Sequence, residues 1–218
     1  MATLTPNLYH FNQLSASEPI DTHLTRAQTP AMPMTSEEQV RYSRQTLLQE
    51  FGEEGQERLK NSAVLCIGTG GLGSPSLMYL AAAGVGKIGL IDPDVVDLSN
   101  LHRQILHDSD RVGTPKLESA RSRVAAINPH VEIIEHPGYF NAHNCLAIVK
   151  DYDLILDGSD NFPTRFCAND AAFFLKKPVI HGAIFQFEGQ ATVFAPHLGG
   201  PCYRCLLPEP PPEGAVPT

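Results

Sequence analysis

The chain has 218 residues, 42% of them hydrophobic, and a formal net charge of −8. One sizeable core fits that length, and a second domain of ordinary size does not. The acidic balance argues against a nucleic-acid partner; with no membrane-length apolar run and no basic-then-apolar leader, neither a bilayer nor secretion is expected.

Residues 1–34 show no sustained period and are rich in Thr, Pro and Ser, which predicts a flexible tail. Thr35 with Glu38 forms a capping box that opens a helix through Tyr42 and Gln45. A second short helix covers 53–59. Strands are predicted near 63–67, 87–91, 131–135 and 153–156, and helices near 72–83, 114–127, 141–150 and 162–175. This alternation predicts an α/β fold with a Rossmann-like, doubly wound, mostly parallel sheet covered on both faces. A strand at Pro178–His181 and a partner at Gln190–Phe194, joined by the short connection Gly182 to Gly189, predict an antiparallel extension at the C-terminal edge. After Leu207 the chain turns Pro-rich (Pro208, Pro210, Pro211, Pro212), so 208–218 reads as a tail or the start of a further segment. Residues 35–207 are the expected domain. Five cysteines without a secretion signal fit a reducing, cytoplasmic setting, with Cys66, Cys145 and Cys167 as core fillers.

The most informative stretch is Val64 to Gly73. An apolar run enters Gly68-Thr69-Gly70-Gly71-Leu72-Gly73, and a helical pattern follows. Gly70 and Gly71 let the backbone approach a phosphate, and the helix start behind them offers free N–H groups. The next apolar run ends in Asp92, at the separation from which an acidic side chain reaches a ribose hydroxyl. An adenine nucleotide is the expected ligand. By itself this motif favours an NAD-dependent oxidoreductase.

Three further clusters point elsewhere. In Ser99-Asn100-Leu101-His102-Arg103-Gln104, Arg103 offers a permanent planar cation to phosphates and Asn100 a hydrogen bond; a solvated polar loop is the plain alternative. In Gly113-Thr114-Pro115-Lys116, Thr114 suits an N-cap and Pro115 the first helical position. That puts Lys116 in the first turn, where the helix dipole disfavours a cation unless an anion lies nearby. In Asp157-Gly158-Ser159-Asp160-Asn161, Asp160 is placed to hold Mg²⁺ on a triphosphate. Asp160 or Asn161 could instead be the cap of the next helix, which leaves Asp157 unexplained.

Arg41-Tyr42-Ser43-Arg44-Gln45 sets two arginines upstream of the sheet. A helix there cannot easily fold over its own domain's mouth, so Arg44 is expected to reach a neighbouring subunit's site, or else to be solvated. Cys202-Tyr203-Arg204-Cys205 is a Cys-x-x-Cys read as lying in a loop. One pair supplies half of a structural zinc site. A redox dithiol would need a helix start behind the first cysteine, which Pro208 to Pro212 argue against.

Taken together and in this order, these motifs resemble the ubiquitin-activating-like adenylyltransferases, nearest those of molybdopterin-synthase and thiazole-synthesis sulfur carriers. The resemblance runs from about Thr35 to Leu207. It implies ATP with Mg²⁺, a ubiquitin-like carrier protein ending in Gly-Gly, and transfer of AMP to that terminal carboxylate for molybdenum-cofactor, thiamine or tRNA-thiolation sulfur transfer. It implies an ATP site of Gly70, Gly71, Asp92, Ser99, Asn100, Leu101, His102, Arg103, Lys116, Asp160 and Asn161, with Arg44 contributed across a homodimer. It also implies that Cys202 and Cys205 are half of a four-cysteine zinc site whose second pair this sequence lacks. A non-catalytic scaffold of the same fold remains the alternative within that family.

Overall fold

The computed structural model describes residues 33–212. Residues 1–32 and 213–218 are not described, so most of the proposed N-terminal tail and the last six residues of the proposed C-terminal one lie outside the described residues.

Thr35 does open the first helix, α1 (Ser36–Arg41), with its side chain accepting from the Glu38 N–H and Glu38 reaching back to the Thr35 N–H. The chain then runs through α2 (Ser43–Thr46), α3 (Gly52–Lys60), β1 (Ala63–Ile67), α4 (Gly73–Ala83), β2 (Lys87–Ile91), α5 (Lys116–Ile127) and β3 (Glu132–His136). After these come α6 (Cys145–Val149), β4 (Leu154–Asp157), α7 (Phe162–Leu175), β5 (Val179–Phe185), β6 (Glu188–Phe194) and α8 (Tyr203–Leu206).

The six strands form one sheet in the order β3-β2-β1-β4-β5-β6. Every pairing is parallel except β5 with β6. The predicted antiparallel edge is therefore present, with longer strands than expected and a tight turn at Gln186–Phe187, where Gln186 takes φ 54°. Strand order reverses between β1 and β4, the place where sheets of this kind open a crevice beyond their carboxyl ends.

Period-two alternation along β1 divides the core. Ala63, Leu65 and Ile67 pack with Val149, Ile155, Phe166 and Ala168 on one face. Val64 and Cys66 pack with Leu77, Ile88, Leu90, Leu117 and Ala120 on the other. The first three helices lie at the foot of α4 and α5. Gln45 and Gln56 both donate to the Ala83 carbonyl, and Asn128 donates to the Tyr42 hydroxyl at 2.7 Å.

Three local expectations are corrected. Thr114 is not the cap of α5, because its hydroxyl is bonded to the Arg111 carbonyl at 2.7 Å; Pro115 occupies the N-cap and Lys116 is the first helical residue. The helix expected over 141–150 shrinks to α6, because Asn141 and Asn144 turn their side chains onto nearby backbone and hold a turn instead. Cys202 and Cys205 do not sit in a loop: Cys202 is the N-cap of α8, a helix short enough to finish before Pro208.

Candidate active site

A cleft of about 580 Å³ opens at the carboxyl ends of β1, β2 and β4. Its floor is the glycine turn. Gly68 adopts φ 88°, and a side chain there would press on the Gly158 carbonyl from the turn after β4. Gly73 has no room for a Cβ, which would overlap the Gly68 carbonyl oxygen. Two βα turns are thereby brought into contact, and Gly70 and Gly71 are left facing the opening.

Asp92 stands at the end of β2, 7% exposed. Its Oδ2 accepts from Thr69 N and Thr69 Oγ1, each at 2.8 Å, and its Oδ1 from Asp94 N at 3.0 Å. His107 ties the same turn down from behind, with Nε2 3.1 Å from the Thr69 carbonyl and Nδ1 2.9 Å from Ser119 Oγ. Burial is the main cause of its lowered pKa.

Lys116 is buried against Asp94, Nζ to Oδ2 2.8 Å, and both line the cleft. The anion that its position at a helix start called for is thus first met within the protein. Arg103 lies over Gly71 and is exposed, its only side-chain hydrogen bond among the described residues being a 3.4 Å contact with His102. On the opposite wall Asn161 caps α7 by accepting from Thr164 N, and the Asp160 carboxylate stands exposed beside it. Arg165 braces that loop with two bonds to the Ser159 carbonyl. Tyr139, Phe140 and Ile184 add an apolar side.

Asp157 now has its explanation. It is 2% exposed and accepts from Ser159 Oγ at 2.6 Å and from Ser159 N at 3.1 Å, while its Oδ2 lies 3.0 Å from His181 Nδ1. The carboxylate lies between serine and histidine, so the cluster joins β4 to β5 and is not a nucleophile–base pair.

Seven of the expected residues therefore line one cleft: Gly70, Gly71, Asp92, Arg103, Lys116, Asp160 and Asn161. Ser99, Asn100, Leu101 and His102 do not line it. They form the turn behind Arg103, with Ser99 held by Asp97 and the Asn100 carbonyl accepting from Arg103 N and Gln104 N. Arg44 is exposed on α2 and is not part of its own chain's cleft. Cys202 and Cys205 lie outside the cleft, their sulfurs 3.7 Å apart, and no group of three or more His, Cys, Asp or Glu able to hold a metal occurs among the described residues. The pair alone does not make a structural zinc site. Sequence reasoning assigned no role to Asp94, Gln104 or Arg165, although each sits in or beside a motif it singled out.

The profile of the ThiF family matches residues 42–218. The chain belongs to the ThiF family. A sulfur carrier protein adenylyltransferase of Thermus thermophilus is 52% identical over 191 residues, covering 86% of this chain and 70% of that protein. The probable adenylyltransferase/sulfurtransferase MoeZ of Mycobacterium tuberculosis is 52% identical over 192 residues, covering 87% of this chain but 49% of MoeZ. The MOCS3 adenylyltransferase and sulfurtransferase of Drosophila persimilis is 50% identical over 188 residues, covering 86% of this chain and 42% of that protein. The chain thus spans about half the length, or less, of the two-function relatives. Among solved structures, Escherichia coli MccB with ATP aligns at a TM-score of 0.66 and 28% identity, covering 76% of this chain and 51% of that one. Membership of the adenylyltransferases within the ThiF family decides against the dehydrogenase reading that the glycine motif alone allows. No described helix is long and apolar enough to cross a membrane.

Proposed function

We propose that residues 35–207 form a domain that adenylates the C-terminal glycine carboxylate of a small ubiquitin-like carrier protein for sulfur transfer. The observation that carries this is the meeting of the glycine turn, Asp92, Arg103, Lys116 and Asp160 around one cleft. The ATP named with MccB and the sulfur carriers named with the Thermus relative support the same reading.

A carboxylate is already ionised at neutral pH, so the attacking group needs no base. One of its oxygens bonds to the α-phosphorus as the bond to the pyrophosphate oxygen breaks, and the electron pair leaves with pyrophosphate. The barrier is the approach of two anions. Arg103 and Lys116 reduce it by holding fixed positive charge at the phosphates, and Asp92 anchors the ribose. Asp160 fits Mg²⁺: its carboxylate is exposed on the cleft wall and accepts only a weak 3.4 Å contact from Asn161 Nδ2 among the described residues. When bound, Mg²⁺ would offset charge on the departing pyrophosphate. Arg44 lies at the foot of α4, away from this cleft, which supports a homodimer in which Arg44 of the partner subunit completes the phosphate site. Zinc at Cys202 and Cys205 would require two more ligands from outside the described residues.

Pyrophosphate exchange into ATP tests the reading. Exchange that depends on a Gly-Gly-ending carrier, and that falls about 10²–10³-fold in Asp160→Ala, is expected. Exchange unaffected by that substitution removes Asp160 from the reaction. NAD binding without ATP binding sinks the whole proposal.

A further inference from the structure

Among the described residues the Lys116 ammonium has one hydrogen-bond partner, Asp94 Oδ2 at 2.8 Å, although it has three protons to donate. The lysine side chain is 4% exposed and the aspartate 62%. A buried ammonium without an anion is strongly disfavoured, so the empty cleft needs Asp94 where it is. The main chain beneath the pair is fixed. Asp94 N donates to Asp92 Oδ1 at 3.0 Å, and the Asp94 carbonyl accepts from Lys116 N at 2.9 Å. Val95 bridges Pro115, and Val96 N donates to the Thr114 carbonyl at 2.8 Å. With its backbone stapled to the start of α5, Asp94 can release Lys116 only by turning about its own side-chain bonds.

Both residues line the same cleft as Gly70, Gly71 and Arg103. A phosphate oxygen that takes Lys116 therefore meets a carboxylate already bound there, and the two repel. The exchange is uneven. Lys116 trades one anion for another and is never bare, whereas the Asp94 carboxylate turns into water at little cost. When the phosphate departs, the same carboxylate is still tethered beside the ammonium. An aspartate buried as deeply as its lysine would close the pair permanently.

Resting on the nucleotide reading above, we propose that Asp94 is a positioning residue: it holds Lys116 in the empty cleft, yields it to the phosphates and reclaims it as pyrophosphate leaves. Asp94 thus competes with every phosphate ligand of the site and weakens the hold on pyrophosphate.

Calorimetric titration of the whole chain with pyrophosphate, ATP and adenosine, each with Mg²⁺, tests this in Asp94→Asn, which keeps the shape and removes the charge. Pyrophosphate and ATP bind the variant about fivefold more tightly, the size of one partly exposed ion pair. Adenosine, which has no phosphate, binds both proteins alike, so a general disturbance of the cleft is separated from a gain at the phosphates. In Lys116→Met the gain disappears: adding Asp94→Asn there changes ATP affinity by less than about twofold. A crystal grown with ATP shows Lys116 Nζ on a phosphate oxygen and the Asp94 carboxylate beyond about 4 Å from it. If ATP binds Lys116→Met too weakly to titrate, that distance decides. Equal affinities for pyrophosphate with and without Asp94→Asn overturn the proposal. So does a full gain in the absence of Lys116, which would mean repulsion across the cleft, or a lysine–aspartate pair that stays closed over bound ATP. If ATP binds and exchanges normally while Asp94→Asn changes nothing, only this inference falls. If no nucleotide binds, the adenylation reading falls first.

Discussion

Lys116 Nζ lies 2.8 Å from Asp94 Oδ2, with the lysine side chain 4% exposed and the aspartate 62% exposed. The pair is open on one side only. Asp94 can turn into water without disturbing the core, whereas Lys116 stays where the first turn of α5 puts it, facing the cleft.

This asymmetry predicts the behaviour of Lys116→Met. Carrier-dependent pyrophosphate exchange should fall by about 10²–10³, the usual cost of losing one preorganised charge contact. Urea denaturation should shift by less than about 1 kcal/mol, because the abandoned Asp94 hydrates. A large loss of stability with exchange intact would make Lys116 structural.

Asp157→Ala should act in the opposite way. Its carboxylate is buried and holds Ser159 and His181 at once, so removal strands two polar groups inside the sheet. A loss of about 3 kcal/mol in unfolding free energy is expected from chemical denaturation.

Stability should also weaken on the acid side. Burial, first among the causes, lowers the pKa of His107 from its ordinary 6.5, as it does for His136. The unfolded chain therefore binds these protons more readily. The stabilisation is complete above pH 6.5, is lost as pH falls from there through the lowered folded values, and changes no further below them. His107→Gln should flatten the drop in melting temperature between about pH 7.5 and 5.5. An unchanged slope would show that His107 is not responsible.

Thiol labelling should pick out Cys205. It is exposed, and hydrogen bonds from Cys202, backbone first, lower its pKa. Cys66 and Cys167 are pushed up to about 12 by burial. Brief iodoacetamide treatment near neutral pH followed by peptide mass analysis should find Cys205 modified first. Earlier modification of Cys66 would contradict its place in β1.

The sheet was legible because strands and helices alternate with uniform spacing, and because Gly68, Gly70 and Gly73 mark a turn that few other residues could form. Seven cleft residues were legible for a related reason: they sit just past strand ends or at helix starts, positions that the parallel sheet brings to one edge. Asp94, Gln104 and Arg165 were not, because their roles depend on partners distant in sequence: Lys116 for the first, the Gly70 turn for the second and the Ser159 carbonyl for the third. Thr114 misled for a local reason. Its hydroxyl had two possible backbone partners, and the preceding turn at Arg111 took it.

The two half-cores on either side of β1 share little besides the sheet itself. Gly71, Arg103 and Lys116 belong to turns and helices packed on one side, while Phe140, Asp160 and Arg165 belong to the other. A molecule wedged in the crevice grips both layers and acts as a clasp across the β1–β4 seam. Filling it should therefore make the two layers melt together at a higher temperature, so that occupancy is registered as cohesion of the whole sheet as well as at the contact points.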